Sequence, residues 1–232
     1  MSDAGIHNDN LELAAARIEQ GGSWKNQRTI LMMPAGKMMS FRVAAAMRSL
    51  LTPPNQPFNF YGAEGMEVGE AYSNLIKALV VHPVLKDWEY ILFMEHDNIP
   101  PPDGFLKLLK HMEAHPELSA ISGLYWTKGE GGSPQIWGDP KDPIPNFRPQ
   151  VPVTGQLVEC CGIGQGFGLY RMSMFKDEKL RKPWFKTVSS GEEGVGTQDL
   201  YFWNDARRFG YRCAVACDVL VGHIDPASGV IW

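Results

Sequence analysis

Hydrophobic residues along this chain form short continuous runs that alternate with segments of helical spacing. Residues 28–34 and 90–94 contain apolar runs of strand length, which are typical of strands buried on both faces. Further strands are predicted at residues 58–61, 119–125, 166–170 and 212–221. Apolar residues recur at helical spacing in 40–51, 68–82 and 197–209, and prolines 100–102 open another helix that runs to residue 115. The alternation predicts an α/β fold with a mostly parallel central sheet flanked by helices.

The chain shows no internal repeat and no linker, and its 232 residues suit one well-cored domain. That domain is expected to span residues 28–232. Residues 1–27 are polar except for an amphipathic stretch at 11–18, which predicts an N-terminal helical extension. Glycine and proline dominate residues 127–155, so this segment is predicted to be a long, flexible lid loop.

The composition is that of an ordinary globular protein, with 44% hydrophobic and 21% charged residues. A net charge of −4 argues against general attraction to nucleic acid or anionic lipid. We see no apolar run of membrane-spanning length and no secretory signal pattern, which indicates a cytoplasmic protein. The four cysteines, Cys160, Cys161, Cys213 and Cys217, lack the spacing of zinc ligands and are expected to be reduced and buried.

Two carboxylates, Glu95 and Asp97, directly follow the strand at residues 90–94. Ligands of open α/β sheets bind beyond the carboxyl ends of the strands. If the strand geometry continues, Glu95 and Asp97 share one face and His96 points away. Paired carboxylates are hard oxygen ligands of the kind that Mg²⁺ or Mn²⁺ needs when it carries a diphosphate. The alternative is an ordinary solvated strand end.

His223 ends another apolar strand-like run, so it is expected at the same edge of the sheet as Asp97. An imidazole beside carboxylates favours Mn²⁺ over Mg²⁺.

Glycines 162, 164, 166 and 168 alternate along a further predicted strand. They indicate either close approach of a ligand to the backbone or a crowded strand, and they do not form a dinucleotide-binding fingerprint.

Asp199 falls in the first turn of the helix that Thr197 is predicted to cap. It is either a carboxylate that stabilises the helix dipole or a general base aimed into a cleft.

Taken in order, these segments resemble the GT-A-fold glycosyltransferases, in particular the family 2 type that uses nucleotide-diphosphate sugars. The resemblance runs from about residue 28 onward. It rests on the first strand at 30–34, on Glu95-His96-Asp97 in the place of the D-x-D site, on the glycine-rich segment 164–171, on Thr197-Gln198-Asp199 and on Gly222-His223. It implies a GT-A (Rossmann-like) fold and transfer of a sugar from a nucleotide-diphosphate sugar to an acceptor hydroxyl.

The resemblance also implies a role for individual residues. Asp97 binds the metal, Glu95 the metal shell or the ribose, and His223 the metal or the diphosphate. Asp199 deprotonates the acceptor for an inverting reaction. The expected donor-binding residues are Pro34, Ala35, Gly36, Asn74, Lys77, Gly166, Phe167 and Gly168. The expected cofactor is Mn²⁺ or Mg²⁺, and the donor a UDP-sugar or, less favoured, a GDP-sugar.

The chain departs from the family pattern at three places. Glu95 replaces the first aspartate of the D-x-D site, and Gln198 replaces the acid before the base. The arginine expected on the second helix is missing, and Lys77 or Arg42 is a possible substitute. Glu192 and Glu193 are alternative bases.

The acceptor is left open by the sequence. Trp126, Trp137 and the predicted lid between them are candidates for stacking on a sugar ring, and Glu192 and Glu193 are further acceptor candidates. A basic stretch at 176–186 contains Trp184 and Phe185, and indicates either a solvated helix face or a site for an anionic acceptor. Acceptors considered are a glycan, a lipid phosphate and, less favoured, a hydroxymethylated DNA base. Alternative functions are an inactive nucleotide-sugar-binding module and a sugar-nucleotide pyrophosphorylase.

Overall fold

A computed structural model describes residues 28–54, 56, 58–144, 146–188 and 196–232 of the chain. The helical extension expected within residues 1–27 lies outside the described residues. None of the described helices is long and apolar enough to span a bilayer.

Within the described residues, the six strands and four helices that the hydrophobic pattern predicts are present in the predicted order, together with short strands that it does not predict. The strands are β1 (Thr29–Ala35), β2 (Phe58–Glu64), β3 (Tyr90–Met94), β4 (Asn98–Ile99), β5 (Ala120–Leu124), β6 (Ile136–Trp137), β7 (Leu157–Cys160), β8 (Gly162–Ile163), β9 (Phe167–Arg171), β10 (Cys213–Leu220) and β11 (Gly222–His223). The helices are α1 (Phe41–Ser49), α2 (Val68–Val81), α3 (Gly104–Ala114) and α4 (Gln198–Ala206).

A seven-stranded sheet of order β2-β1-β3-β9-β5-β10-β7 forms the centre of the fold. Strands β2, β1 and β3 are parallel, as are β5 and β10. Strand β9 is antiparallel to both β3 and β5, and β7 is antiparallel to β10. Five of the seven strands therefore run in the same direction, which confirms the predicted mostly parallel sheet.

Helices cover both faces of this sheet because its central strands are apolar on both sides. Along β3, Ile91 and Phe93 join one buried cluster, whereas Tyr90, Leu92 and Met94 join the other. Helices α2 and α4 pack on the first face, and α1 and α3 on the second. Complete burial of every residue of β3 explains why its sequence is a continuous apolar run rather than an alternating one.

The parallel strands end at one edge of the sheet, and the chain leaves them there in loops that carry polar side chains. A two-stranded ribbon pairs β4 with β11 at this edge, with His223 opposite Asn98. The backbone N–H of Ile224 also donates to the carbonyl of Asp97 at 2.8 Å. The ribbon therefore fixes the chain after β10 against the chain after β3.

The predicted lid at residues 127–155 is more ordered than an open loop. It contains β6, which pairs with β8, and Trp137 forms a further bridge to Pro149. Ile136 is fully buried, and its burial is the physical reason that this glycine- and proline-rich segment contains a strand. Mobility of the rest of the segment stays a prediction.

The predicted burial of the cysteines is confirmed, since Cys160, Cys161, Cys213 and Cys217 are all buried and free. Cys160 and Cys213 face each other across β7 and β10, with their Sγ atoms 3.9 Å apart.

Replacing Phe93 by alanine is expected to destabilise the protein by about 3–5 kcal/mol, because its fully buried ring packs edge-on against Tyr72 and Tyr170. Phe41→Ala is the matched control, since the Phe41 ring is 85% exposed and its loss is expected to cost under about 0.5 kcal/mol. Urea unfolding of both variants checks this. Equal losses of stability would contradict the described core.

Candidate active site

A cleft of about 370 Å³ opens at the carboxyl edge of the sheet, where the loops after β1 and β3 meet. Its walls are the loop after β1, the turn after β3, the start of α2 and the first residue of α4. The lining residues are Pro34, Ala35, Gly36, Met66, Val68, Glu95, His96, Asp97 and Gln198. The structure thus places the predicted nucleotide segment 34–36 beside the predicted acidic motif.

The acidic motif adopts a turn rather than an extended strand. Strand β3 ends at Met94, and the backbone N–H of Asn98 donates to the carbonyl of Glu95 at 3.1 Å. Because the alternation of a strand stops there, His96 does not point away as an extended backbone would require. It lines the same cleft as Glu95 and Asp97.

Asp97 and His223 meet at the sheet edge, as their positions at strand ends predict. His223 Nε2 lies 3.6 Å from Oδ2 of Asp97, and both side chains are about 15% exposed. His223 Nδ1 lies 2.7 Å from the carbonyl oxygen of Trp126. Since a carbonyl oxygen only accepts, Nδ1 carries a proton. Nε2 then presents its lone pair toward Asp97 in the neutral ring and an N–H in the protonated ring.

A lysine completes the surroundings of Asp97. Lys128 Nζ donates to Oδ2 at 2.5 Å, whereas Oδ1 is buried and makes no hydrogen bond within the described part of the chain. Burial tends to raise the pKa of Asp97, but a protonated His223 ring and the hydrogen bond and charge of Lys128 outweigh it and lower the pKa to about 2. Asp97 is therefore ionised at neutral pH.

Glu95 has the opposite electrostatic character. Burial at the base of the cleft, together with the charges of Asp97 and Asp199, raises the pKa of Glu95 to about 8. Its Oε1 lies 3.4 Å from the hydroxyl of Tyr72 and 3.5 Å from Nε2 of Gln198. Neighbouring carboxyls whose pKa values are driven apart are characteristic of sites that handle charge or protons.

Asp199 occupies the first turn of α4, where its side chain is 7% exposed. Its Oδ1 accepts hydrogen bonds from the Thr197 hydroxyl and from the backbone N–H of Leu200. Burial raises the pKa of this carboxyl, and those hydrogen bonds oppose the rise. Gln198 lines the cleft; Asp199 is not among the lining residues but is close enough for its charge to raise the pKa of Glu95. Thr197 occupies the N-cap position as predicted, but its hydroxyl contacts Asp199 instead of capping the helix.

The alternating glycines make room for side chains of the protein itself. A methyl group at Gly166 would lie 2.6 Å from the Asn98 amide, and one at Gly164 would lie 2.2 Å from the Tyr125 hydroxyl. That hydroxyl accepts from the N–H of Gly166 at 2.8 Å, while the Gly166 carbonyl accepts from the N–H of Glu95. Of the two interpretations the structure supports crowding, but Gly164 and Gly166 lie between β8 and β9 rather than on one continuous strand. The hydrogen bond to the Gly166 carbonyl supports the backbone of Glu95. Contact of Phe167 and Gly168 with a donor stays a prediction, and both are buried in β9.

Two predicted donor-binding residues on α2 do not line the cleft, although Asn74 contacts Met66, which does. Asn74 lines a neighbouring cavity with Glu67, Glu70 and Lys186, and Lys77 is exposed and lines neither of these cavities. The proposed substitute Arg42 donates instead to the carbonyl of Gly229 at 3.4 Å. Both residues belong to the predicted helix, but they lie on an exposed face of α2 that does not line the cleft.

The acceptor candidates fall in different environments. Trp126 and Trp137 are both half-buried, and the indole of Trp137 donates to Gln135. Glu192 and Glu193 lie outside the described residues. In the basic stretch, Trp184 and Phe185 are 3% and 1% exposed, so the aromatic residues expected to contact an anionic acceptor belong to the core instead.

Sequence reasoning missed Lys128, Tyr125 and Asn98. All three follow strands that end at the site edge, which is a pattern that could have found them.

Two donors at the site suit a divalent cation, namely Oδ2 of Asp97, which Lys128 contacts, and His223 Nε2. Glu95 does not join them in a compact set. Over the described residues, no group of three or more His, Cys, Asp or Glu side chains is arranged to hold a metal ion. Any cation would therefore need further oxygen ligands from a substrate or from water.

Comparison with known proteins identifies the fold. No family model and no curated protein matches the sequence. Among solved structures, A197 from STIV superposes with a TM-score of 0.60 over 85% of this chain and 86% of that chain, at 14% sequence identity. At this identity the likeness shows the fold alone. The chain has a GT-A-like α/β fold.

The raised pKa of Glu95 predicts a pH-dependent stability in the metal-free protein. Between its ordinary value of 4.5 and about 8, the folded state retains a proton that the unfolded state has lost. The free energy of unfolding is therefore expected to fall as pH rises through this window, by roughly 1–3 kcal/mol. Glu95→Gln is expected to remove this dependence in denaturant titrations with chelator at pH 5, 6.5 and 8.

The exposed Glu64→Gln substitution on β2 controls for the loss of a surface carboxylate. A Glu95→Gln protein with the same pH profile as the wild type would show that Glu95 is ionised in the folded state.

Proposed function

We propose that this protein is a metal-dependent glycosyltransferase that transfers a sugar from a nucleotide-diphosphate sugar to an acceptor hydroxyl. The observation that carries the proposal is the meeting of Asp97 and His223 beside the cleft of residues 34–36, at the carboxyl edge of a GT-A-like sheet. A hard carboxylate oxygen and an imidazole nitrogen are ligands that Mn²⁺ accepts, and Mg²⁺ is the alternative cation.

In this proposal Asp97 and His223 hold the divalent cation. When bound, such an ion neutralises the charge that develops on a departing diphosphate. The loop of Pro34, Ala35 and Gly36 borders the nucleotide, for which a UDP-sugar is favoured over a GDP-sugar. Glu95, at the base of the cleft, contacts the ribose or the metal shell.

The chemical step requires a base for the acceptor hydroxyl. We assign this role to Asp199, whose raised pKa brings it closer to the range in which a carboxylate takes up a proton. The acceptor oxygen forms a bond to the anomeric carbon as the bond from that carbon to the diphosphate breaks. The hydroxyl proton passes to Asp199. Attack from the face opposite the diphosphate inverts the anomeric configuration.

One observation favours a binding module without turnover. Oδ1 of Asp199 accepts two hydrogen bonds within its own helix turn, and Gln198 rather than an acid faces the cleft. Such a module would bind the donor but would neither transfer the sugar nor slowly hydrolyse the donor. A pyrophosphorylase would instead release nucleoside triphosphate from diphosphate and UDP-glucose.

Calorimetric titration of UDP- and GDP-sugars, with and without Mn²⁺, tests the donor and the cation together. We expect Mn²⁺-dependent binding that Asp97→Asn weakens at least about tenfold, because this substitution removes an anionic ligand. Asp103→Asn is the matched control, since Asp103 is a surface carboxylate paired with Lys107. Absence of binding across the panel, or equal binding without metal, would contradict the proposal.

Asp199→Asn separates transferase from binding module. We expect it to retain donor binding and to lose about 10²–10⁴-fold in sugar transfer or donor hydrolysis, the usual contribution of a general base. An unchanged rate would exclude Asp199 as the base. A wild-type protein that binds donor but neither transfers nor hydrolyses it would identify a binding module.

A further inference from the structure

The ammonium group of Lys128 lies where the proposed divalent cation would bind. Its Nζ is 2.5 Å from Oδ2 of Asp97, the same oxygen that faces His223 Nε2 at 3.6 Å. A single carboxylate oxygen does not accommodate an ammonium and a metal ion at contact distance, because two cations would repel each other strongly there. Lys128 and a metal ion are therefore alternatives at this oxygen.

Lys128 belongs to a small hairpin whose base is fixed at the site. Trp126 pairs with Pro134, and the N–H of Thr127 donates to the carbonyl of Ser133 at 2.9 Å. The Trp126 carbonyl is also the acceptor for His223 Nδ1. The two strands of the hairpin are joined by a glycine-rich turn after Lys128, and the Lys128 side chain is 32% exposed. The anchored base keeps the ammonium near Asp97 while the flexible side chain remains free to change partner.

We propose that Lys128 is the counter-ion of Asp97 in the cation-free protein and that it transfers to the donor's diphosphate when a divalent cation is bound. The inference rests on the proposed function. The Asp97 carboxylate then has a cationic partner both before and after the divalent cation binds: first Lys128, then the metal ion. A diphosphate held by a cation at Asp97 and His223 would lie beside the Lys128 ammonium, which contacts the same oxygen of Asp97. A compact ammonium suits this exchange because it acts as a point charge without fixed bidentate geometry.

The consequence is a linkage between cation binding and donor binding through one lysine. In the cation-free protein Lys128 competes with the metal and weakens its binding. In the loaded site Lys128 adds a charge-assisted hydrogen bond to the diphosphate and strengthens donor binding. Removal of the ammonium should therefore change the two affinities in opposite directions, which a surface ion pair would not do.

The test is Mn²⁺ binding measured by electron paramagnetic resonance of the free ion, with UDP binding measured by calorimetry at saturating Mn²⁺. Lys128→Met is expected to bind Mn²⁺ about three- to tenfold more tightly than the wild type and UDP about three- to tenfold more weakly. Lys128→Arg keeps the charge and is expected to bind Mn²⁺ within about twofold of the wild type. Lys141→Met removes the same charge elsewhere in the long loop and should change neither affinity.

Opposite shifts confined to Lys128→Met support the inference. Equal Mn²⁺ affinity in the wild type and Lys128→Met, with normal Mn²⁺-dependent donor binding, would overturn it and leave the proposed function standing. So would an unchanged UDP affinity, or a shift of the same size in Lys141→Met. If no variant binds Mn²⁺ with or without UDP, the metal requirement of the proposed function fails, and the competition fails with it.

Discussion

The site depends on a short antiparallel ribbon between β4 and β11. It places His223 opposite Asn98, and the hydrogen bond from the N–H of Ile224 to the Asp97 carbonyl extends the pairing to the acidic turn. Neither strand is longer than two residues, so the ribbon relies on the large sheet behind it to bring its two chains to the same edge. The parallel direction of β3 and β10 supplies that convergence, and the ribbon then sets the separation of Asp97 and His223 to 3.6 Å.

Charge is distributed unevenly within the cleft, and this asymmetry follows from what each carboxyl touches. Asp97 faces two nitrogen groups and has a pKa of about 2, whereas Glu95 faces uncharged partners in a buried position and has a pKa of about 8. Around neutral pH the metal-free site thus holds one fixed negative charge rather than two. A cation is the natural partner for that charge, and Lys128 and a divalent ion are two ways to provide it.

Beneath the cleft, the packing that supports these groups is tight. The Tyr125 hydroxyl and the Asn98 amide fill the space left by Gly164 and Gly166, and the N–H of Glu95 donates to the Gly166 carbonyl. The aromatic cluster around Phe93 lies one residue before the end of β3. Rigid support of this kind holds Glu95 in a buried position, which is the physical cause of its raised pKa. The spacing of these glycines suggested a surface for a ligand, but the space that they leave is occupied by the protein's own side chains.

The sequence by itself determined the strands, the helices, the mostly parallel sheet and the arrival of Glu95, Asp97 and His223 at one edge. These features depend on local periodicity and on the rule that parallel strands end together. Only the tertiary structure decided which way each side chain faces once regular structure stops. His96 lines the cleft because β3 ends at Met94. Asn74 and Lys77 do not line it, because the opposite face of α2 packs on the sheet. Trp184 and Phe185 belong to the core. The contact of Lys128 with Asp97 joins two loops through space, and no local pattern encodes such a distance.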